Sequence, residues 1–115
     1  MRTLNDYFIT AKIADISTAS STFVGIPDGG RIIKIITALQ GTIATADGAI
    51  TFEIGGTAMT TSAITVAYSG SAAGDVDTSE PTALNTVSED GTIEMITSGA
   101  PTNAIVLYVT FVIRR

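Results

Sequence analysis

The sequence consists of short runs of β-branched and aromatic residues that end at clusters of glycine, proline or aspartate. In residues 49–54, Thr51 and Glu53 alternate with apolar side chains. This period of two is that of a half-buried β-strand. The side chains that the alternation predicts to face inward are Ile50, Phe52 and Ile54. Only residues 79–84, with Pro81 in the first turn, favour a helix, and then a single turn.

Segments with strand character recur along the chain. They are residues 7–13, 22–26, 31–39, 49–54, 64–68, 92–97 and 104–113. Seven or eight short strands with glycine-rich turns are typical of a β-sandwich or jelly roll. We therefore predict an all-β fold, a single antiparallel β-sandwich or jelly-roll-like domain of 7–8 strands that spans residues 1–115. Within it, residues 1–7 are expected as an N-terminal arm and residues 69–80 as a long loop.

The final segment, residues 104–113, is apolar on both of its faces. A strand of this kind is covered on both sides. Two interpretations stay open. The segment is either a central strand of a monomeric sandwich, or it places Tyr108 in a subunit interface, where tyrosine is enriched.

The composition favours docking over catalysis. Only 15% of the residues are charged, against roughly 25% in average soluble domains. Few charges then have to be desolvated when another protein binds. The absence of His and Cys excludes Ser-His-acid triads, Cys-His pairs, disulfides and zinc sites with nitrogen or sulfur ligands.

Carboxylates are the remaining catalytic candidates, and glycoside hydrolysis requires two of them in one cleft. Glu53 and Glu94 occupy outward positions of predicted strands. Six further acids fall in predicted turns: Asp28, Asp47, Asp75, Asp77, Glu89 and Asp90. We therefore predict no enzyme, and no catalytic, cofactor-binding or metal residues.

Three local patterns have both a functional and a structural interpretation. Asp75, Asp77 and Glu80 have the alternate spacing with which a calcium loop begins, but Glu80 stands where an EF-hand needs glycine. Whether they bind a cation stays open; side-chain bonds within a turn are the commoner role. Residues 25–31 resemble a phosphate-binding loop without the following helix, and a tight turn between strands is expected. Arg114-Arg115 is expected as a frayed terminus, with pairing to a partner's acids as the alternative.

The charge pattern argues against nucleic acid and membranes as partners. The net charge is −5, and the cations are too dispersed to follow a phosphate backbone. No stretch approaches the ~20 apolar residues of a membrane helix. Lys12 and Asp15 interrupt the first apolar run, so we expect a product of the host cytoplasm that no signal peptide secretes.

Several strings resemble small structural proteins of tailed bacteriophages, above all capsid decoration (cement) proteins. They are ADISTASSTFV (14–24), GRIIKI (30–35), ITFEIGGT (50–57), GSAAGDVD (70–77) and VTFVIR (109–114). The resemblance implies a homo-oligomer, with a trimer favoured, that binds the major capsid protein on the outside of the assembled head. It implies no site residues and no cofactor. The proline-rich N-terminal arm of some decoration proteins is missing.

Other functions remain as alternatives. One is another virion component, such as a head fibre, tail or baseplate protein. A second is a carbohydrate- or receptor-binding β-sandwich, although the chain has no Trp. Within the capsid interpretation, residues 1–7 and 70–80 are expected to reach neighbouring proteins, because they lie outside the strand pattern.

Overall fold

Ten antiparallel strands form in residues 4–115, the part of the chain that the computed structural model describes. The apolar alternation seen in the sequence places one face of most strands inward. In chain order they are β1 (Asp6–Ile13), β2 (Ser20–Ile26), β3 (Gly30–Leu39), β4 (Gly48–Ile54), β5 (Thr57–Ala58), β6 (Ile64–Val66), β7 (Val76–Ser79), β8 (Thr86–Val87), β9 (Gly91–Thr97) and β10 (Leu107–Arg114).

The strands form two sheets, which confirms the predicted all-β sandwich. Sheet A has the order β1-β10-β3-β7, with β8 also paired to β3. Sheet B has the order β2-β9-β4-β5, with β6 also paired to β4. In sheet A, β3 carries one extra residue opposite the step from Val112 to Ile113, which is a β-bulge.

The core lies between the two sheets and is built from their inward-facing side chains. Ile50 and Phe52 of β4 are buried as predicted, whereas Ile54 is half-buried. Phe52 meets Phe111 of β10 edge to face across the sandwich, with ring centroids 5.7 Å apart. This arrangement is favourable for aromatic rings because the positive edge of one approaches the negative face of the other.

All seven predicted segments contain a strand, and the structure adds β5, β7 and β8. The predicted count of 7–8 strands is therefore too low. Of the expected N-terminal arm, residues 1–3 lie outside the described residues. Asp6 and Tyr7 belong to β1, so that part of the prediction is wrong.

The expected long loop at residues 69–80 is wrong in part, because it contains β7 and is bonded to the end of β3. The N–H of Gly74 donates to the carbonyl of Leu39 (2.7 Å), and the N–H of Leu39 donates to the carbonyl of Asp75 (2.8 Å). The Ser71 hydroxyl is buried and donates to the carbonyl of Ile43 (3.0 Å). These bonds fix the segment on sheet A.

The helical turn expected at residues 79–84 does not form. Instead the segment runs extended beside Thr60, with the N–H of Thr60 donating to Ala83 and the N–H of Thr82 donating back to Thr60, both at 3.0 Å. Partners distant in sequence thus supply the backbone bonds that a helix would have made locally. No helix in residues 4–115 is long and apolar enough to cross a membrane.

The segment at residues 27–29 is a turn between β2 and β3, as expected, and both C-terminal arginines pack against this end of the sandwich. Arg114 makes two bonds to Asp6, at 2.8 and 3.0 Å. Arg115 pairs with Asp28 and lies over the ring of Tyr7. The expected frayed terminus is therefore wrong, because each arginine has a partner within the chain.

Candidate docking surface on sheet A

The outward side chains of β1, β10, β3 and β7 form one continuous surface, which we call face A. Its rows follow the strand register, because directly paired residues of a sheet share a face. Three such rows cross the sheet. They are Phe8–Val112–Lys34, Thr10–Thr110–Ile36–Thr78, and Lys12–Tyr108–Ala38–Val76.

Face A exposes large apolar side chains that no described residue covers. Phe8, Val76 and Tyr108 are 58%, 60% and 41% exposed. Val112, in contrast, is 1% exposed although it points away from the core. Its cross-strand neighbours on this face are Phe8 and Lys34. Val112 is thus shielded from water, whereas Phe8, Val76 and Tyr108 remain accessible.

The charges of face A are opposite in sign to the charge of the whole chain. Lys12 and Lys34 lie among its apolar residues, and Arg31 and Arg114 lie at one end. These are four of the six Lys and Arg residues in a chain of net charge −5. The one acid in the outward rows of β1, β10, β3 and β7 is Asp6, whose side chain is fully buried against Arg114. Face A is therefore apolar and basic.

The outward side of sheet B, which we call face B, has the reverse charge. The strands of sheet B contain no Lys or Arg, and their two charged residues are Glu53 and Glu94. Phe23 lies beside Glu94 and is 64% exposed. The two outer faces of the sandwich therefore expose similar aromatic groups with opposite charges.

The acids that the sequence offered for catalysis do not converge on a cleft in the described residues. Glu53 and Glu94 lie opposite each other on open face B. Glu80 lines two of three surface depressions, those of about 370 and 300 Å³, and the third, of about 440 Å³, has no acidic lining residue. None of the three brings together two carboxylates, the arrangement that glycoside hydrolysis requires.

Asp75, Asp77 and Glu80 lie in β7 (Val76–Ser79) or directly beside it. The Asp75 carboxylate accepts a bond from the N–H of Ala72 (2.9 Å). Burial, with a smaller contribution from the charge of Asp75, raises the pKa of Asp77. In residues 4–115 no group of three or more acids is placed to hold a metal ion. Asp77 lies in β7, so the prediction of a turn there is wrong.

Sequence reasoning identified one part of face A and missed the rest. It singled out Tyr108 on the outward side of the last strand. Phe8 and Val76 were missed, because each lies in a different segment and only the strand order brings them beside Tyr108. Alternation in residues 7–13, with Phe8, Thr10 and Lys12 on one side, was the available clue for Phe8.

The chain was compared with known proteins. No family model matches the sequence, and no curated protein matches it. The two outer faces and the resemblance to phage structural proteins are the features that bear on function.

Proposed function

We propose that this protein is a structural component of a tailed-phage virion that binds the outer surface of the assembled capsid through face A and stabilises it. The observation that carries the proposal is face A itself. It is a preformed sheet surface on which exposed Phe8, Val76 and Tyr108 lie among Lys12 and Lys34. Aromatic side chains are enriched in protein interfaces, where they act as anchors.

The partner proposed is the major capsid protein, and the patch on it should be apolar and acidic. The chain as a whole has a net charge of −5, whereas its docking face is basic. An acidic partner surface therefore attracts this face and orients the chain as it approaches. The acidic face B would then point away from the shell. Nucleic acid and membranes are not proposed as partners.

Stabilisation of the capsid follows from linkage. A protein that binds the assembled shell, and not its separate subunits, favours assembly in proportion to its affinity and concentration. A homotrimer, which the resemblance implies, would present three copies of face A, so every contact after the first would be intramolecular. Each single contact could then bind more weakly than a stable one-to-one interface, which buries at least ~1,200 Å².

The test uses heads that lack the protein. Purified protein mixed with such heads should co-sediment with them and increase their resistance to heat. Phe8→Ser should weaken binding at least about tenfold, whereas Phe23→Ser, which removes a similarly exposed ring from face B, should bind normally. Failure to co-sediment, or equal loss with both variants, would contradict the proposal.

Two further measurements separate the alternative functions. Labelled protein seen by electron microscopy on tails or fibres instead of heads would favour another virion component. Strong and specific binding in a glycan array would favour a carbohydrate-binding module.

A further inference from the structure

Four charged side chains on the two outer faces have no ion-pair partner within the described chain. The ion pairs shown by residues 4–115 are those of the two C-terminal arginines. Lys12 and Lys34 on face A take part in none, and neither do Glu53 and Glu94 on face B. Charges of opposite sign are thus left for a partner on opposite sides of the sandwich.

Glu53 and Glu94 form a site on face B that a cation would stabilise. They lie directly opposite each other on neighbouring strands, and both are half-buried. Like charges in this position repel each other, and partial burial strengthens the repulsion because less water screens it. The strands of sheet B contain no Lys or Arg, so a cation that relieves the repulsion has to come from outside this sheet.

Face A has a cation at the spacing that this site requires. One of its rows runs from the exposed ring of Phe8, on edge strand β1, to Lys34, two strands further in. The matching row of face B runs from the exposed ring of Phe23, on edge strand β2, to Glu53, also two strands further in. Neighbouring strands are about 4.8 Å apart, so ring and charge are separated by about 9.6 Å in both rows.

The two rows also lie at similar heights on opposite sides of the molecule. Phe52 and Phe111 touch across the core, with ring centroids 5.7 Å apart. Glu53 directly follows Phe52 in β4. In β10, Val112 directly follows Phe111 and is paired with Lys34. Because β1 also lies beside β2, both rows start from the same side of the sandwich.

We propose that face A of one copy binds face B of a second copy, head to tail. A second copy stacked in the same orientation places Phe23 over Phe8 and brings the ammonium of Lys34 to the carboxylates of Glu53 and Glu94. The cation then neutralises the like-charge pair, and the two rings form an apolar contact beside it. Opposite charges on the two surfaces fix which face meets which.

This contact does not close on itself. Two different faces meet, on opposite sides of the sandwich, so each added copy leaves one free face A and one free face B. An arrangement of this kind gives an open stack instead of a closed ring. The copy at one end of every stack keeps a free face A, so stacking is compatible with the proposed docking on a capsid.

Sedimentation equilibrium over a range of protein concentrations tests the stack without capsids. The average mass should rise above 11.8 kDa with concentration, without levelling at a dimer, and should fall in high salt. Lys34→Glu and Glu53→Lys should each weaken association at least about tenfold. Glu89→Lys, the same charge change in a turn outside both faces, is the control and should associate normally. A wild type that stays monomeric or levels at a dimer would overturn the proposal.

Mixing the two variants tests whether unlike faces meet. The Lys34→Glu protein keeps a wild-type face B, and the Glu53→Lys protein keeps a wild-type face A. Each alone should remain close to the mass of one chain, whereas an equal mixture should form a complex of the two. A mixture no heavier than its separate components, or a single variant that associates like the wild type, would contradict head-to-tail binding.

The same variants separate this inference from the proposed function. Glu53→Lys retains face A, so its co-sedimentation with heads measures capsid binding in the absence of stacking. Loss of stacking with retained head binding would contradict only the stack. Stacking of a wild-type protein that fails to bind heads would contradict only the capsid role.

Discussion

Glu53 of β4 and Glu94 of β9 are directly paired across sheet B, with both side chains on the same outer face. Like charges at directly opposite positions destabilise a sheet. The strands of sheet B contain no cation that could compensate them. Face B therefore carries a like-charge pair that its own strands do not compensate.

We expect Glu94→Lys to stabilise the protein by about 0.5 kcal/mol, because it replaces a repulsive cross-strand pair with an attractive one. Urea unfolding measures this change. Glu89→Lys, the same charge change in a surface turn, is the control and should have a smaller effect. Salt should reduce the gain, since it screens exposed charges. A lower urea midpoint for Glu94→Lys would show that the pair is not repulsive.

Asp77→Asn should raise the melting temperature at neutral pH. Burial, followed by the charge of Asp75, raises the pKa of Asp77, so the folded state binds its proton more tightly than the unfolded state does. The protonated Asp77 side chain therefore favours the folded state, and this contribution is fully present below its ordinary pKa of 3.8. It is lost as the pH rises through the folded pKa.

Thermal melts at several pH values check this expectation. The variant should melt higher than the wild type at pH 7 and equally below pH 3.8. Asp90→Asn, in an exposed turn, should show no such pH-dependent gain. A benefit of Asp77→Asn that is constant across the pH range would contradict the burial of its charge.

The edge-to-face contact between Phe52 and Phe111 should appear as a coupling energy. Replacing either ring by Leu should destabilise the protein by roughly 1–3 kcal/mol. The double variant should be destabilised by about 0.5–1.5 kcal/mol less than the sum of the two single variants, because the ring–ring contact can be lost only once. Denaturant titrations of the four proteins give this value. Phe23→Leu combined with Phe111→Leu should be additive, since Phe23 lies on face B.

Gly99 should tolerate alanine less well than Gly55, although both have positive φ angles (70° and 60°). A Cβ atom at Gly55 would meet nothing within 4 Å, and the left-handed backbone alone costs about 1–2 kcal/mol. A Cβ atom at Gly99 would lie 2.3 Å from the backbone nitrogen of Ala19. Gly99→Ala should therefore destabilise the protein by more than Gly55→Ala in the same denaturation experiment. Equal losses would mean that the Ala19 segment moves aside freely.

The strands that could be predicted from the sequence are those with their own apolar pattern. Residues 92–97 alternate like residues 49–54, and β9 and β4 form there. β7, with the sequence VDTS, has no such pattern. It is a strand because its backbone pairs with β3. The apolar pattern of a single sequence does not show which segments pair in this way.

The candidate surface could be predicted only in part, for the same reason. The outward position of Tyr108 follows from alternation within one strand. Its neighbours Lys12 and Ala38 come from the strand order, which pairs residues about seventy to one hundred positions apart. The predicted helical turn at residues 79–84 failed because Thr60, far away in sequence, bonds the backbone there.

The position of β10 in sheet A has a consequence for how the protein is made. This strand is the last of the ten in the chain, yet it is the common neighbour of β1 and β3. During synthesis β1 and β3 leave the ribosome early. Their edges that pair with β10 stay unpaired until residues 107–114 have also emerged. Pairing between such distant segments is slow, and waiting edges are prone to aggregation. Completion of sheet A thus depends on β10, and until β10 is made the facing edges of β1 and β3 can pair with other strands.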